Sequence, residues 1–248
     1  MHGKGREKAM PTSGEIETFA GTDLRTLIGA EAKAVPGTVP VPFPFEHRWL
    51  AILITDIAGY SRLIEIDKMA TAIRIRHLRQ HVILPTVRAY HGWIVNHAGD
   101  GTLMAFGRCE DALHCAIALH RGLALAEQEA PADRRIHLHM GVSAGDVLIA
   151  DGELYGNAPN IAARLQSLAK AGEICVSDDV LHRIVTMPDA EVRPMGDLKL
   201  KNIARVVKGY RVLVTNVRPT ASPVGMENRV RRLSLSLNRR GACRPVPP

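Results

Sequence analysis

Two carboxylates in this chain stand where an apolar run gives way to glycine. Asp56 follows Leu50-Ala-Ile-Leu-Ile-Thr55, with Gly59 next and a helical pattern opening at Ser61. Asp100 is the centre of Gly99-Asp100-Gly101, which lies between the apolar stretches 92–98 and 102–106. A Gly-Asp-Gly between such runs reads as a hairpin turn. If the first strand pairs with that hairpin, both acids enter one pocket and can share divalent cations. Mg²⁺ takes one or two carboxylates and completes its shell with substrate phosphates and water. The main-chain N–H groups of Ile57, Ala58, Gly59, Tyr60 and Ser61, beside a helix start, could receive phosphate oxygens. Two metals there would activate an attacking hydroxyl and neutralise a leaving phosphate. Taken singly these signals have plain structural alternatives, Asp56 as a helix cap and Gly-Asp-Gly as a turn. A third segment, Gly156-Asn-Ala-Pro-Asn-Ile-Ala-Ala-Arg164, puts Asn160 and Arg164 four apart on one helix face, opposite Ile161, Leu165 and Leu168.

The elements that must hold these groups follow from hydrophobic period and turn chemistry. A strand is expected at 49–55. A helix follows with Leu63, Ile66, Met69 and Ile73 on one face, running past His77 toward Val82, with Pro85 as a kink or break. After the hairpin, 110–129 forms a helix that buries Ala112, Cys115, Ala116, Leu119 and Leu123. Residues 135–142 read as a strand that Gly145-Asp146 turns back through 147–150. A helix at 158–171, stopped by Gly172, buries Ile161, Leu165 and Leu168. A strand at 173–176, a short helix at 178–184 and a closing strand pair, 192–200 and 206–214, finish the domain. The layout is α/β (α+β), an antiparallel-rich sheet covered by helices.

The chain has 248 residues, 46% of them apolar and only 4% aromatic, so aliphatic side chains must fill the core. Its net charge of +7 is concentrated in the segment 216–248, where seven arginines face one glutamate. The basicity therefore says little about what the folded domain binds, and a specific nucleic-acid partner is not expected. Residues 1–46, with alternating prolines at 36–44, read as an extended, poorly ordered connector, and 216–248 as a disordered basic tail. The catalytic unit is thus expected at 47–215. No apolar run approaches the ~20 residues of a membrane helix, and no signal-peptide pattern opens the chain, so a cytoplasmic location is expected. Cys109, Cys115, Cys175 and Cys243 show no metal or redox spacing. His77 and His81 sit four apart without a third ligand nearby.

Five blocks together carry a resemblance. Thr55-Asp-Ile-Ala-Gly-Tyr-Ser61, Gly92-Trp-Ile-Val-Asn-His-Ala-Gly-Asp-Gly101, Gly141-Val-Ser-Ala-Gly-Asp-Val147, Tyr155-Gly-Asn-Ala-Pro-Asn-Ile-Ala-Ala-Arg-Leu165 and Leu200-Lys-Asn-Ile-Ala204 occur in order at matching intervals. Over 47–215 the chain resembles the catalytic domain of class III adenylate/guanylate cyclases, notably the bacterial branch. The resemblance implies a ferredoxin-like domain working as a homodimer, with active sites across the interface. It implies two Mg²⁺ or Mn²⁺ ions per site on Asp56 and Asp100, and a triphosphate cradle at Ile57–Ser61. Asn160 would orient the ribose, Arg164 would stabilise charge on the α-phosphate, and Lys201 would lie near the phosphates, these three coming from the second protomer. The implied reaction turns ATP or GTP into a 3′,5′-cyclic nucleotide and pyrophosphate. Two base-reading positions depart from the adenylate pattern: Asn96 stands where it has Lys, and Glu153 where it has Asp. An Asn amide and a Glu carboxylate could meet either purine; ATP is favoured.

Two other readings weigh less. Gly141-Val-Ser-Ala-Gly145 matches a hydrolase nucleophile elbow, but that motif needs a helix after Ser143 and a strand is expected there. Arg231-Arg-Leu-Ser234 resembles a basic kinase site. The serious rival is a degenerate cyclase-like domain that binds nucleotide and dimerises without turnover; Asn96 favours it, and the intact Asp56, Asp100, Asn160, Arg164 and Lys201 oppose it.

Overall fold

A computed structural model describes residues 46–187 and 190–215. The tail 216–248, with Cys243 and the Arg231–Ser234 motif, and the extension up to residue 45 lie outside the described residues. The first strand, β1 (Glu46–Ile57), lies inside an eight-stranded sheet. It pairs antiparallel on one side with β3 (Gly101–Phe106), from Ala51 opposite Phe106 to Thr55 opposite Thr102. On its other side it pairs with β4 (Leu138–Ala150) along its whole length. Beyond β3 lies the edge strand β2 (Trp93–Ala98); beyond β4 come β6 (Ile174–Ser177), β8 (Val207–Val214) and β7 (Ala190–Leu198). The three-residue β5 (Glu153–Tyr155) pairs with the far end of β4.

Because successive side chains of a strand face opposite ways, β1 feeds two cores. Ala51, Leu53 and Ile57 pack with Met104, Phe106 and the buried faces of α2 (Lys68–Leu78), α3 (Leu84–Ala89) and α4 (Cys109–Ala126). Leu50 and Ile52 face the other way and meet Ala105, Val147 and the small residues Ala158 and Ala162 of α5 (Asn157–Leu168). By the same alternation Asp56 belongs to the α5 face. The expected burial of Ala112, Cys115, Ala116, Leu119 and Leu123 on α4 is found.

The expected single helix after Gly59 is two. α1 (Tyr60–Ile66) stops at Asp67, whose backbone is extended and whose carboxylate accepts the Ala70 N–H at 2.9 Å to start α2. The break shifts the helical phase. Leu63 stays buried, but Ile66, Met69 and Ile73 turn outward, and Thr71, Ile75 and Leu78 take the inner face. A wide π turn (Arg79–Ile83) then joins α2 to α3 ahead of Pro85, the kink that proline implies.

Nor does Gly145-Asp146 turn the chain. β4 runs straight through both residues because β1 pairs with it on either side of them; the turn is at Asp151-Gly152, both with positive φ (51° and 76°). Glycine in this strand serves helix packing instead. A Cβ on Gly141 would lie 2.1 Å from the Ala162 carbonyl oxygen of α5, so the helix backbone rests on the strand there. α5 ends at Leu168, which is 43% exposed rather than inward, because the seated stripe is Ala158, Ile161, Ala162 and Leu165. After β6, a one-turn helix α6 (Asp178–Leu181) leads toward the β7–β8 hairpin.

Candidate active site

The two acids meet. The β2–β3 connection is a two-residue turn, Ala98 pairing with Gly101, and Gly99 takes the left-handed backbone (φ 62°) that a tight hairpin needs at its first central position. This sets Asp100 beside the end of β1. The Asp56 carboxyl lies close enough to that of Asp100 for the two to act on each other, and a Cβ on Gly101 would lie 3.6 Å from its Oδ1. Its pKa is raised above the ordinary aspartate value. Burial is the largest cause, then the hydrogen bond and the negative charge of Asp100; an Ile57 N–H bond and the His139 charge pull the other way. Two carboxyls this close repel when both are ionised, a repulsion that a proton relieves. A cation placed between them would take over the proton's electrostatic role, so the donor set fits a divalent metal. No group of three or more metal-binding side chains occurs among the described residues, so such an ion would complete its shell from substrate oxygens and water.

His139 was not singled out by the sequence. It stands opposite Asp56 in the β1–β4 register, and its Nδ1 donates to the Ala169 carbonyl at 2.8 Å, which fixes the ring. Only the strand register, absent from a single sequence, could have paired it with the acid.

In the expected phosphate cradle Ile57–Ser61, the Ala58 N–H donates to the His137 carbonyl at 2.9 Å. Gly59, with φ 66°, and then Tyr60 and Ser61 head α1 without a side-chain cap.

Asn160 and Arg164 share a face of α5 as expected. The stripe Ala158, Ile161, Ala162 and Leu165 sits on the sheet; Asn160 is exposed, with its Nδ2 donating to the Gly156 carbonyl at 3.0 Å, and Arg164 is half-buried. Neither belongs to the stripe that seats the helix: Asn160 leaves it on the outer side and Arg164 on the flank. Lys201 is exposed in the β7–β8 connection, beside Asn202 at φ 63°. Asn96 and Glu153 are both exposed; β3, β1 and β4 separate their strands, and the register does not pair them. The Tyr155 hydroxyl donates to Glu153 Oε2 at 2.7 Å, a second partner that the sequence did not suggest.

The decoys resolve as structural. Ser143 is fully buried inside β4, with its hydroxyl accepting from Ser177 at 3.4 Å. The His77 and His81 rings lie 4.4 Å apart with no further ligand cluster among the described residues. Cys109, Cys115 and Cys175 are buried free thiols, with burial pushing Cys109 and Cys175 up to about 11.

Residues 46–213 match the adenylate and guanylate cyclase catalytic domain family. The chain belongs to that family. An adenylate/guanylate cyclase/hydrolase from Silicibacter pomeroyi has a crystal structure that is 35% identical, with a TM-score of 0.62 over 71% of this chain and 99% of that one. The adenylyl cyclase CyaB from P. aeruginosa, 22% identical with a TM-score of 0.63 over 72% of this chain and 100% of that one, shares the fold. The Rhizobium meliloti (strain 1021) protein named "Putative adenylate cyclase 3" is 36% identical over 65% of this chain. The chain spans 27% of that relative's length. The cyclase fold is therefore the fold of this chain, and no helix among its described residues is long and apolar enough to cross a membrane.

Proposed function

We propose that this cyclase-family chain converts ATP to 3′,5′-cyclic AMP and pyrophosphate, with GTP as the weaker substrate, as a homodimer in the cytoplasm, where its nucleotide substrate resides. The observation that carries the reading is the close pair Asp56–Asp100, two acids from different elements brought to the strand end at which α1 begins.

Asp56 and Asp100 would hold two Mg²⁺ or Mn²⁺ ions. Bound there, divalent cations lower the pKa of the ribose 3′-hydroxyl and neutralise the triphosphate. The amides of Gly59, Tyr60 and Ser61, at a helix start without a side-chain cap, then receive phosphate oxygens. Attack is in line: the 3′-hydroxyl gives up its proton to solvent, its oxygen forms a bond to the α-phosphorus as the bond from that phosphorus to the α–β bridging oxygen breaks, and pyrophosphate leaves with that oxygen. Asn160 of the second copy orients the ribose. Its Arg164 stabilises the charge that grows on the α-phosphate, an electrostatic contribution realised in the transition state, and its Lys201 approaches the phosphates. The outward face of α5 supports this division between copies. At the base, Glu153 held by Tyr155 accepts the adenine 6-amino group, and the Asn96 amide donates to adenine N1.

Purified protein incubated with ATP or GTP and Mn²⁺ or Mg²⁺, with products separated by chromatography, tests the reading. Cyclic AMP in excess over cyclic GTP product is the expected result. A folded dimer that makes neither under any combination overturns it and leaves the non-catalytic nucleotide-binding module.

A further inference from the structure

Asp100 is half-buried, but the end of the strand that leads to it is not. It sits at the tip of a hairpin whose outer strand, β2, is the edge of the sheet. Residues Asn96, His97, Ala98 and Gly99 are all exposed, and the β2–β3 register slips between Ile94 and Asn96, which loosens the ladder just before the tip. Two side-chain contacts steady it. One is local: His97 Nδ1 and Thr102 Oγ1 lie 3.0 Å apart across the two strands. The other comes from the helical layer. The guanidinium of Arg79, twenty residues away, donates from Nη2 to the Gly99 carbonyl at 2.6 Å.

Arg79 opens the π turn Arg79–Ile83, which follows α2 directly. In the π turn the chain widens, so the residues around it leave the 3.6-residue phase of α2. Leu78, Val82 and Ile83 are buried around Arg79, while its own side chain is half-buried and reaches out to the hairpin. The anchor is therefore a rigid, packed segment, and the tether is a short charge-assisted bond to the peptide immediately before Asp100.

We propose that Arg79 is a positioning residue of the cyclase reaction, fixing the Gly99-Asp100 turn so that Asp100 is preorganised beside Asp56 to bind divalent cation. The role rests on the reading of Asp56 and Asp100 as metal acids. Arg79 touches neither metal nor substrate in this role; it acts through the Gly99 carbonyl. The guanidinium geometry matters because a forked planar donor on a long stem reaches the carbonyl with little freedom left, whereas an ammonium at the same place is shorter and less directed.

The test compares wild type with Arg79→Ala, Arg79→Lys and the control Arg88→Ala, an exposed arginine of α3. Mn²⁺ binding is read directly, as free Mn²⁺ by electron paramagnetic resonance, in the presence of 3′-deoxy-ATP, which cannot cyclise; Mn²⁺ activation of turnover is read in parallel. In Arg79→Ala the Mn²⁺ concentration for half-saturation should rise about ten-fold, the effect of losing one hydrogen bond from a charged donor at the low end of its net strength. The KM for ATP at saturating Mn²⁺ and the thermal midpoint without metal should stay near wild type. Arg79→Lys should recover part of the metal affinity, and Arg88→Ala should match wild type. Unchanged Mn²⁺ half-saturation in Arg79→Ala, or a KM change for ATP without a metal change, overturns the proposal. A wild-type protein that binds no Mn²⁺ with the analogue and makes no cyclic nucleotide instead overturns the cyclase reading beneath it.

Discussion

The carboxyls of Asp56 and Asp100 come close enough to act on each other, although one lies in the long strand β1 and the other turns an edge hairpin. A like-charged pair does not contribute stability by itself. Burial and mutual repulsion both disfavour its doubly ionised form, which is why the Asp56 pKa is raised. Such a pair is an arrangement that pure folding would not keep, and a cation gives it a use. Asp56→Asn and Asp100→Asn should each lower cyclic-nucleotide formation by at least about a hundredfold. The circular-dichroism spectrum and dimer mass should be unchanged, and the metal-free thermal midpoint equal to or above wild type. Retained turnover in either variant refutes the metal assignment.

The same pair sets a pH dependence. The native pKa of Asp56 lies above its ordinary value of 3.8, so the folded state holds that proton more tightly than the unfolded chain. This contribution to stability is complete below the unfolded pKa and is lost as pH rises through the raised native one. Metal-free protein should therefore lose thermal stability across that window, and Asp56→Asn should lose less. Mn²⁺ displaces the proton, so its stabilising effect should grow with pH over the same range. Differential scanning fluorimetry across pH, with and without Mn²⁺, reads both trends.

Most of the strands and both acids were legible because their signals are local. An apolar run ending in Asp56 and a Gly-Asp-Gly turn need no knowledge of the rest of the chain. What stayed hidden depends on register or phase. His139 becomes a neighbour of Asp56 only through the β1–β4 pairing. Ile66, Met69 and Ile73 fit one helical face until Asp67 caps a new helix and rotates them outward. Gly145 looked like a turn because glycine signals either a bend or a close approach, and β4 carries its glycines beneath α5. The bond from the Ala58 amide to the His137 carbonyl likewise follows from the β1–β4 pairing and has no local signal.

Gly141 separates the seating of α5 from the chemistry on it. A methyl group there would press against the Ala162 carbonyl at 2.1 Å and the Gln166 nitrogen at 2.3 Å, both backbone atoms. Gly141→Ala should cost roughly 1–3 kcal/mol, the usual range for overpacking, seen as a lower urea midpoint. Because α5 carries Asn160 and Arg164, turnover should fall more than the folded fraction does. A variant as stable as wild type would show that the helix lifts freely from the strand.

Asn160 and Arg164 lie off the stripe that seats α5 on its own sheet, and under the dimeric reading each active site should draw its acids from one copy and these residues from the other. Asp56→Ala and Arg164→Ala proteins are each expected to be inactive. Mixed in equal amounts and allowed to exchange, about half the dimers contain one of each, by random pairing of a two-fold assembly. In such a mixed dimer one site carries both defects and the other carries none. Activity should return to about a quarter of wild type. No recovery, with subunit exchange confirmed by mass spectrometry of tagged chains, would place both groups in one chain's site.

The base-reading end differs from the acid end in having no fixed charge complement. Asn96 is exposed on β2, and its amide can present either a donor or an acceptor to the purine edge. Glu153 is more constrained: Tyr155 donates to one carboxylate oxygen, which leaves Glu153 an acceptor for amino or imino hydrogens of the base. Adenine offers the 6-amino group to that acceptor and N1 to a donor, so a permanent donor at residue 96 should select it. Asn96→Lys should raise the ATP-to-GTP ratio of kcat/KM by about tenfold, from a hydrogen bond of ~1.5 kcal/mol to a charged donor. Tyr155→Phe frees the Glu153 carboxylate to rotate and should move the ratio toward unity while leaving Mn²⁺ half-saturation unchanged. Kinetics with both nucleotides on the two variants decide the matter: an unmoved ratio in Asn96→Lys means that residue 96 does not face the base, whereas a loss of metal affinity in Tyr155→Phe means that Tyr155 supports the phosphates rather than the purine.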